Sequence, residues 1–196
     1  MAEVVLFHHV QGLTDGVRAF AEELRAGGHT VHTPNLFEGA LPESIDDGMA
    51  LTGKIGDEVL SARADGAVAD LADGLVYAGF SFGVSEAQRL AQTRAGARGA
   101  LLYEACMPIT GEWASGPWPD GVPVQIHGMD EDPVFGLDGD LEFARDLVET
   151  VGSELAELFV YPGDRHLFTD SSLPSYDADA TALVTERSRA FLDRVS

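Results

Sequence analysis

The chain has 196 residues, 45% of them hydrophobic and 23% charged, with a single cysteine. That composition suits one domain spanning residues 1–196 with a sizeable core, and it excludes a disulfide scaffold or a C-x-x-C metal or redox pair. Thirty-three acidic residues against twelve basic ones leave a net charge of −21, which excludes a nucleic-acid binder and disfavours an anionic membrane as partner.

The opening Met1-Ala2-Glu3-Val4-Val5-Leu6-Phe7 has no basic leader and turns polar at His8. It therefore reads as neither signal peptide nor membrane span, and a cytoplasmic protein is expected. From there, short apolar runs alternate with segments of helical period, the signature of βα units wound into a mostly parallel sheet with helices on both faces. The first run, Val4 to His8, precedes a helix that Thr14 caps and Gly27-Gly28 ends, with Val17, Phe20, Ala21 and Leu24 on one face. A second run spans Thr30 to Thr33. Residues 34–56, interrupted by Pro34, Gly39, Pro42, Gly48, Gly53 and Gly56, read as a loop. Asp57 opens a helix expected to turn Val59, Leu60, Ala64, Ala67, Val68 and Leu71 inward. The runs Leu75 to Phe80 and Gly99 to Tyr103 follow, and then a second irregular stretch, residues 106–121, with Pro108, Pro117, Pro119 and both tryptophans. Val122 to His127 is the fifth run. A helix from Asp138 is expected to bury Leu141, Ala144, Leu147 and Val148 before Gly152. Glu157 to Tyr161 is the last run, and a closing helix from about Asp177 to Arg194 should bury Leu183 or Val184 with Phe191 and Leu192. Several runs are continuously apolar, as strands covered on both faces must be. In such a sheet the loops at the carboxyl ends of the strands form the binding crevice.

The chemistry concentrates after the third run, where Gly79-Phe80-Ser81-Phe82-Gly83 stands between a strand and the helix-like Val84–Leu90. This is G-x-S-x-G in its strand, turn, helix setting. The glycines leave room for a sharp turn where a Cβ would collide with a neighbouring element, and the turn exposes the Ser81 hydroxyl. A serine hydroxyl is a weak nucleophile that needs a base, and the base needs an orienting carboxylate. Both occur at later strand ends. The fifth run leads into Gly128-Met129-Asp130-Glu131-Asp132-Pro133, and the sixth into Pro162-Gly163-Asp164-Arg165-His166. The order Ser, Asp, His is that of the α/β-hydrolases, so an α/β-hydrolase fold is expected. Ser81 would be the nucleophile, His166 the base and Asp132 the acid, preferred over Asp130 because it precedes Pro133.

The Phe82 backbone N–H, at a helix N-terminus, is one expected oxyanion donor. Val10, in the His8-His9-Val10-Gln11-Gly12 loop after the first strand, is the second. His8 and His9 are adjacent and would point to opposite faces of a strand, so no metal site is expected, and no cofactor. His29, His32 and His127 read as structural histidines, and Cys106 as a packing residue.

Taken together, the chain resembles a short form of the dienelactone hydrolase family. The resemblance rests on Val4 to Leu13, Thr33-Pro34-Asn35-Leu36-Phe37-Glu38-Gly39, the elbow, His127-Gly128 to Pro133, and Tyr161 to Phe168. The best-known members of that family use a cysteine nucleophile on an enol-lactone, with a glutamate in the first loop. Here Ser81 stands for the cysteine and His9 for the glutamate. The resemblance with a serine implies ordinary esterase chemistry rather than the name-giving reaction, and the carboxylates expected at the pocket, Glu38 and Glu104, point to a small neutral ester or lactone. The expected pocket residues are Gln11, Glu38, Phe82, Glu104, Trp113, Trp118, Phe135 and Leu167, with Glu38 and Glu104 repelling anions. A non-hydrolytic ligand-binding protein of the same fold, or a cofactor-free perhydrolase, is the alternative. A flavodoxin-like nucleotide binder fits poorly, because no phosphate-cradling loop follows the first strand.

Overall fold

The computed structural model describes residues 1–196. Its apolar runs form β1 (Glu3–Phe7), β2 (Thr30–His32), β3 (Leu75–Phe80), β4 (Gly99–Tyr103), β5 (Val124–Met129) and β6 (Ala156–Tyr161). They pair in the order β2-β1-β3-β4-β5-β6, every ladder parallel. Around the sheet lie α1 (Asp15–Ala26), α2 (Ile45–Ile55), α3 (Asp57–Val68), α4 (Phe82–Thr93), α5 (Asp140–Val151) and α6 (Ala178–Arg194).

Successive strand residues point to opposite faces, so the strands feed two cores. On one face Val4, Leu6, Val76, Ala78 and Tyr103 pack with Phe20 and Leu24 of α1 and with Val184, Phe191 and Leu192 of α6. On the other, Val5, Phe7, Leu75, Tyr77 and Leu102 pack with Leu60 and Val68 of α3, Val84 and Leu90 of α4, and Ala144 and Leu147 of α5. The Thr14 cap forms as expected, its side chain accepting the Val17 N–H. Of the two candidates in α6, Val184 is buried and Leu183 faces out. No helix is long and apolar enough to cross a membrane.

Two readings need correction. Residues 34–56 are not loop throughout, because residues 45–55 form α2. Ser44 caps it by accepting the Asp47 N–H, and its apolar Ile45 and Met49 point outward while Leu51 and Ile55 pack only half-buried against the core, so the inward periodicity that marks a helix in sequence is weak. Its Gly48 is a packing glycine, since a Cβ there would overlap Val10. Val59, expected inward, is 45% exposed, because it lies in the first turn of α3 on the side away from Leu60 and Ala64. Residues 106–121 carry no helix or strand. Within them Trp118 is buried and donates its indole N–H to the Val122 carbonyl at 2.8 Å, while Trp113 is 77% exposed.

The strand order fixes where a site can form. From β1 the chain moves outward to β2, whereas from β3 onward it moves in the opposite direction. The loops after β1 and β3 therefore diverge, and they leave a crevice at the carboxyl edge between them.

Candidate active site

Ser81 sits at the sharp turn from β3 into α4 with φ 46° and ψ −114°, in a region that L-residues avoid. Both flanking glycines are required by space. A Cβ on Gly79 would overlap the Gly83 carbonyl, and one on Gly83 would run into the carbonyls of Phe7 and His8 at the end of β1. The turn is fixed to β4 by the Ser81 N–H, which donates to the Tyr103 carbonyl at 2.7 Å.

The Ser81 hydroxyl lies 2.8 Å from His166 Nε2, and His166 Nδ1 lies 2.8 Å from Asp132 Oδ2. Asp132 is fully buried, and its other oxygen accepts the N–H groups of Val134 at 2.8 Å and Phe135 at 3.3 Å. A carboxylate so held keeps a proton on Nδ1 and leaves Nε2 as acceptor for the serine. Burial opposes a charge on His166, but the Asp132 hydrogen bond and the negative charges of Glu104, Asp132 and Asp140 outweigh it and hold the imidazole above its usual pKa. Asp130, the competing acid, is exposed and accepts the Gly163 N–H at 3.0 Å instead.

The Phe82 N–H is the first of α4 and has no acceptor within the helix. The N–H of Val10 has no acceptor in the protein either, whereas those of its neighbours Gln11 and Gly12 are both taken by His9. His8 lies on the same loop. Its Nδ1 approaches the His9 carbonyl at 2.7 Å, and its Nε2 accepts the Leu36 N–H at 3.1 Å. Burial, eased by the His9 carbonyl, lowers its pKa to about 4, so it is neutral.

The expected pocket residues separate into different roles. Gln11 donates to the carbonyls of Pro42 and Glu43 and so ties the first loop to the approach to α2. Glu38 stands exposed and paired with Arg63 at 2.8 Å. Phe135 is wholly buried in the core, where Gly128 makes room for its ring. Leu167 is buried and adopts φ 60°. Glu104 is neither cleft-facing nor solvated. It is fully buried at φ 63°, one carboxylate oxygen accepts from the Thr169 N–H at 3.1 Å and hydroxyl at 3.0 Å, and the other has no partner. Burial raises its pKa. Phe82 lines a cavity of about 330 Å³ together with Met49, Thr52, Ser85, Met107 and Ser115, closed at one wall by the ion-paired Glu86 and Arg89.

Cys106 is buried, and burial pushes its thiol pKa up, which makes it a poor nucleophile. His127 is buried in a stack with Tyr103, Phe159 and Tyr161. It bonds Tyr161 and Gln125, and burial lowers its pKa to about 3. No group of three His, Cys, Asp or Glu side chains converges as a metal site would require. Sequence reasoning missed Asp170, which pairs with His9 at 2.7 Å across 161 residues. No local motif announces that contact.

A parallel sheet, a strained serine between strand and helix, and a histidine and carboxylate at two later strand ends define an α/β-hydrolase. A profile of the dienelactone hydrolase family matches residues 1–196, and the chain belongs to that family. A search of curated proteins finds no match. Among solved structures, the chain is similar to P91, a dienelactone hydrolase-like promiscuous phosphotriesterase from metagenomic libraries. The TM-score is 0.77 at 19% identity, over 100% of this chain and 87% of that one. A Klebsiella pneumoniae protein provisionally assigned as a dienelactone hydrolase gives 0.76 at 19% identity, over 99% and 87%. Esterase 2 of Thermogutta terrifontis gives 0.66 at 15% identity, over 100% and 84%. At these identities the likeness is one of fold. Membership of that family marks the chain as a hydrolase.

Proposed function

We propose that the chain is a serine hydrolase of small neutral esters or lactones, acting through Ser81, His166 and Asp132. The observation that carries this reading is the 2.8 Å approach of the strained Ser81 hydroxyl to His166 Nε2, with Asp132 2.8 Å behind. Ser81 Oγ attacks the acyl carbon while its proton passes to Nε2, and the N–H groups of Phe82 and Val10 receive the developing oxyanion. The C–O bond to the leaving alcohol breaks as His166 returns that proton to it. Water, deprotonated by the same imidazole, then releases the acid from the acyl-enzyme. For a lactone the leaving alcohol stays tethered to the acyl group, and the product is a hydroxy acid.

A neutral substrate is favoured by the charge pattern. Glu104 and Asp140 act on His166, and Arg89, the arginine in the wall of the cavity beside Phe82, is already paired with Glu86 and Asp65.

Esterase 2 of Thermogutta terrifontis is known phosphoramylated by tabun, which recommends an organophosphorus probe for this fold. Intact mass after exposure to a fluorophosphonate should show one adduct on the wild type and none on Ser81→Ala, alongside p-nitrophenyl acetate turnover lost in the same variant. A folded wild type that takes no adduct and turns over no ester would overturn the proposal in favour of a binding role.

A further inference from the structure

A second buried imidazole–carboxylate pair stands beside the first. His9 Nε2 lies 2.7 Å from Asp170 Oδ2, and both side chains are 1% exposed. Asp170 is itself held on every side. The Thr14 hydroxyl donates to Oδ2 at 2.5 Å, and the Ser172 N–H and hydroxyl donate to Oδ1 at 2.8 and 2.6 Å. These bonds pull its pKa down to about 2 against the burial that would raise it. The remaining nitrogen of His9 accepts the Gln11 N–H at 3.2 Å, and its carbonyl accepts the Gly12 N–H at 3.0 Å. His9 therefore takes up the N–H groups that follow Val10 and leaves the Val10 N–H unpaired in a residue only 3% exposed. A buried backbone N–H without an acceptor is uncommon and points to a ligand.

The far end of the pair is equally telling. Asp170 follows His166 by four residues, on the turn that also carries Thr169 and the left-handed Leu167. His9 to Asp170 is thus a direct strut from the β1 loop to the His166 turn. On its other side Val10 rests against α2, where Gly48 alone permits the approach.

We propose that His9 and Asp170 are positioning residues: the pair holds the Val10 amide and the His166 turn in fixed register, so that oxyanion donor and general base act on the same carbonyl. This rests on the hydrolase reading above. Neither residue touches the reacting atoms. With Nε2 facing the Asp170 carboxylate and Nδ1 accepting the Gln11 N–H, both ring nitrogens of His9 are partnered.

The test compares an oxygen ester with its thionoester, because sulfur accepts hydrogen bonds poorly and the ratio of the two rates reports the oxyanion donors rather than the nucleophile. His9→Phe keeps a ring but neither nitrogen. It is expected to lower kcat/KM for p-nitrophenyl acetate by about 10²-fold, the scale of one lost oxyanion donor, and to shrink the ester-to-thionoester ratio by a similar factor. Asp170→Ala should do the same, and Asp170→Asn, which retains an acceptor for the His9 N–H, should recover most of both. Gly48→Ala displaces Val10 from the α2 side without touching the pair and is expected to reduce the ratio too. If the buried-pair variants do not fold, it tests the Val10 donor that the pair is proposed to hold, and a folded Gly48→Ala with the wild-type ratio would overturn the inference. Folded variants with the wild-type ratio would overturn the inference while leaving the hydrolase reading intact. A wild type that takes no fluorophosphonate and hydrolyses neither ester would instead remove the reading on which it rests.

Discussion

At Ser81 the backbone conformation and the side-chain chemistry serve one end. The positive φ lifts the hydroxyl to the carboxyl edge of the sheet, where His166 can reach it. Because Asp132 and the surrounding carboxylates hold His166 above its usual pKa, the free base is present only above that range. The pH profile of kcat/KM should therefore rise through an apparent pKa greater than 6.5, and a profile already flat at pH 6 would contradict the assignment of the base. Asp132→Asn is expected to cost about 10⁴-fold in kcat, the scale known for loss of tautomer control, with Asp130→Asn close to wild type. The reverse pattern in steady-state rates would transfer the acid's role to Asp130. The convergence of Ser81, His166 and Asp132 was legible because each follows an apolar strand in a recognisable order. Asp170 was not legible, because its meaning comes from a partner at the other end of the chain.

The elements divide by how their apolar residues face. β3, buried along its whole length, and α1, with Val17, Phe20, Ala21 and Leu24 inward, announce themselves by pattern. α2 does not, since Ile45 and Met49 lie outside and two glycines interrupt it. Its stability leans on its cap, so Ser44→Ala should destabilise the helix by about 1 kcal/mol. Faster hydrogen exchange confined to residues 45–55 would check this. Gly83→Ala should be far more damaging, because the new methyl meets the carbonyls of Phe7, the last residue of β1, and of His8 just after it, where the backbone cannot shift without disturbing the end of the β1–β3 ladder. A thermal midpoint within a degree of wild type would show that the elbow tolerates a Cβ. The place of the first loop, directly after β1, carried the expectation of Val10 as donor, but pattern alone could not show that His9 serves its neighbours.

Across the whole molecule, buried titratable groups set the pH range of stability. His8 and His127 have folded pKa values of about 4 and 3, below the unfolded value, so their contributions are complete above pH 6.5 and fall away as the pH drops through those values. Asp170, at about 2, loses its contribution in the same direction but at lower pH. Asp140 and Glu104 oppose them. Burial raises both, Asp140 to about 6, so their contributions are complete in acid and lost as the pH rises. Below pH 4 the Asp140 gain is saturated and the histidine losses continue. An acid titration followed by circular dichroism should therefore unfold the protein steeply below pH 4. Asp140→Asn, which keeps an acceptor for the Cys106 N–H, should raise the thermal midpoint at pH 8 and leave it unchanged at pH 3.5. With a net charge of −21, added salt should stabilise the fold by screening its self-repulsion.

The unequal burial of the two tryptophans makes residues 106–121 visible to light. Trp113 stands in solvent five residues before the buried Trp118, so acrylamide should quench the emission of one and spare the other. The blue-edge fraction that survives quenching then belongs to Trp118. A ligand that draws this segment over the crevice would shift the Trp113 emission to shorter wavelength, and substrate arrival could be timed by stopped-flow fluorescence without any label.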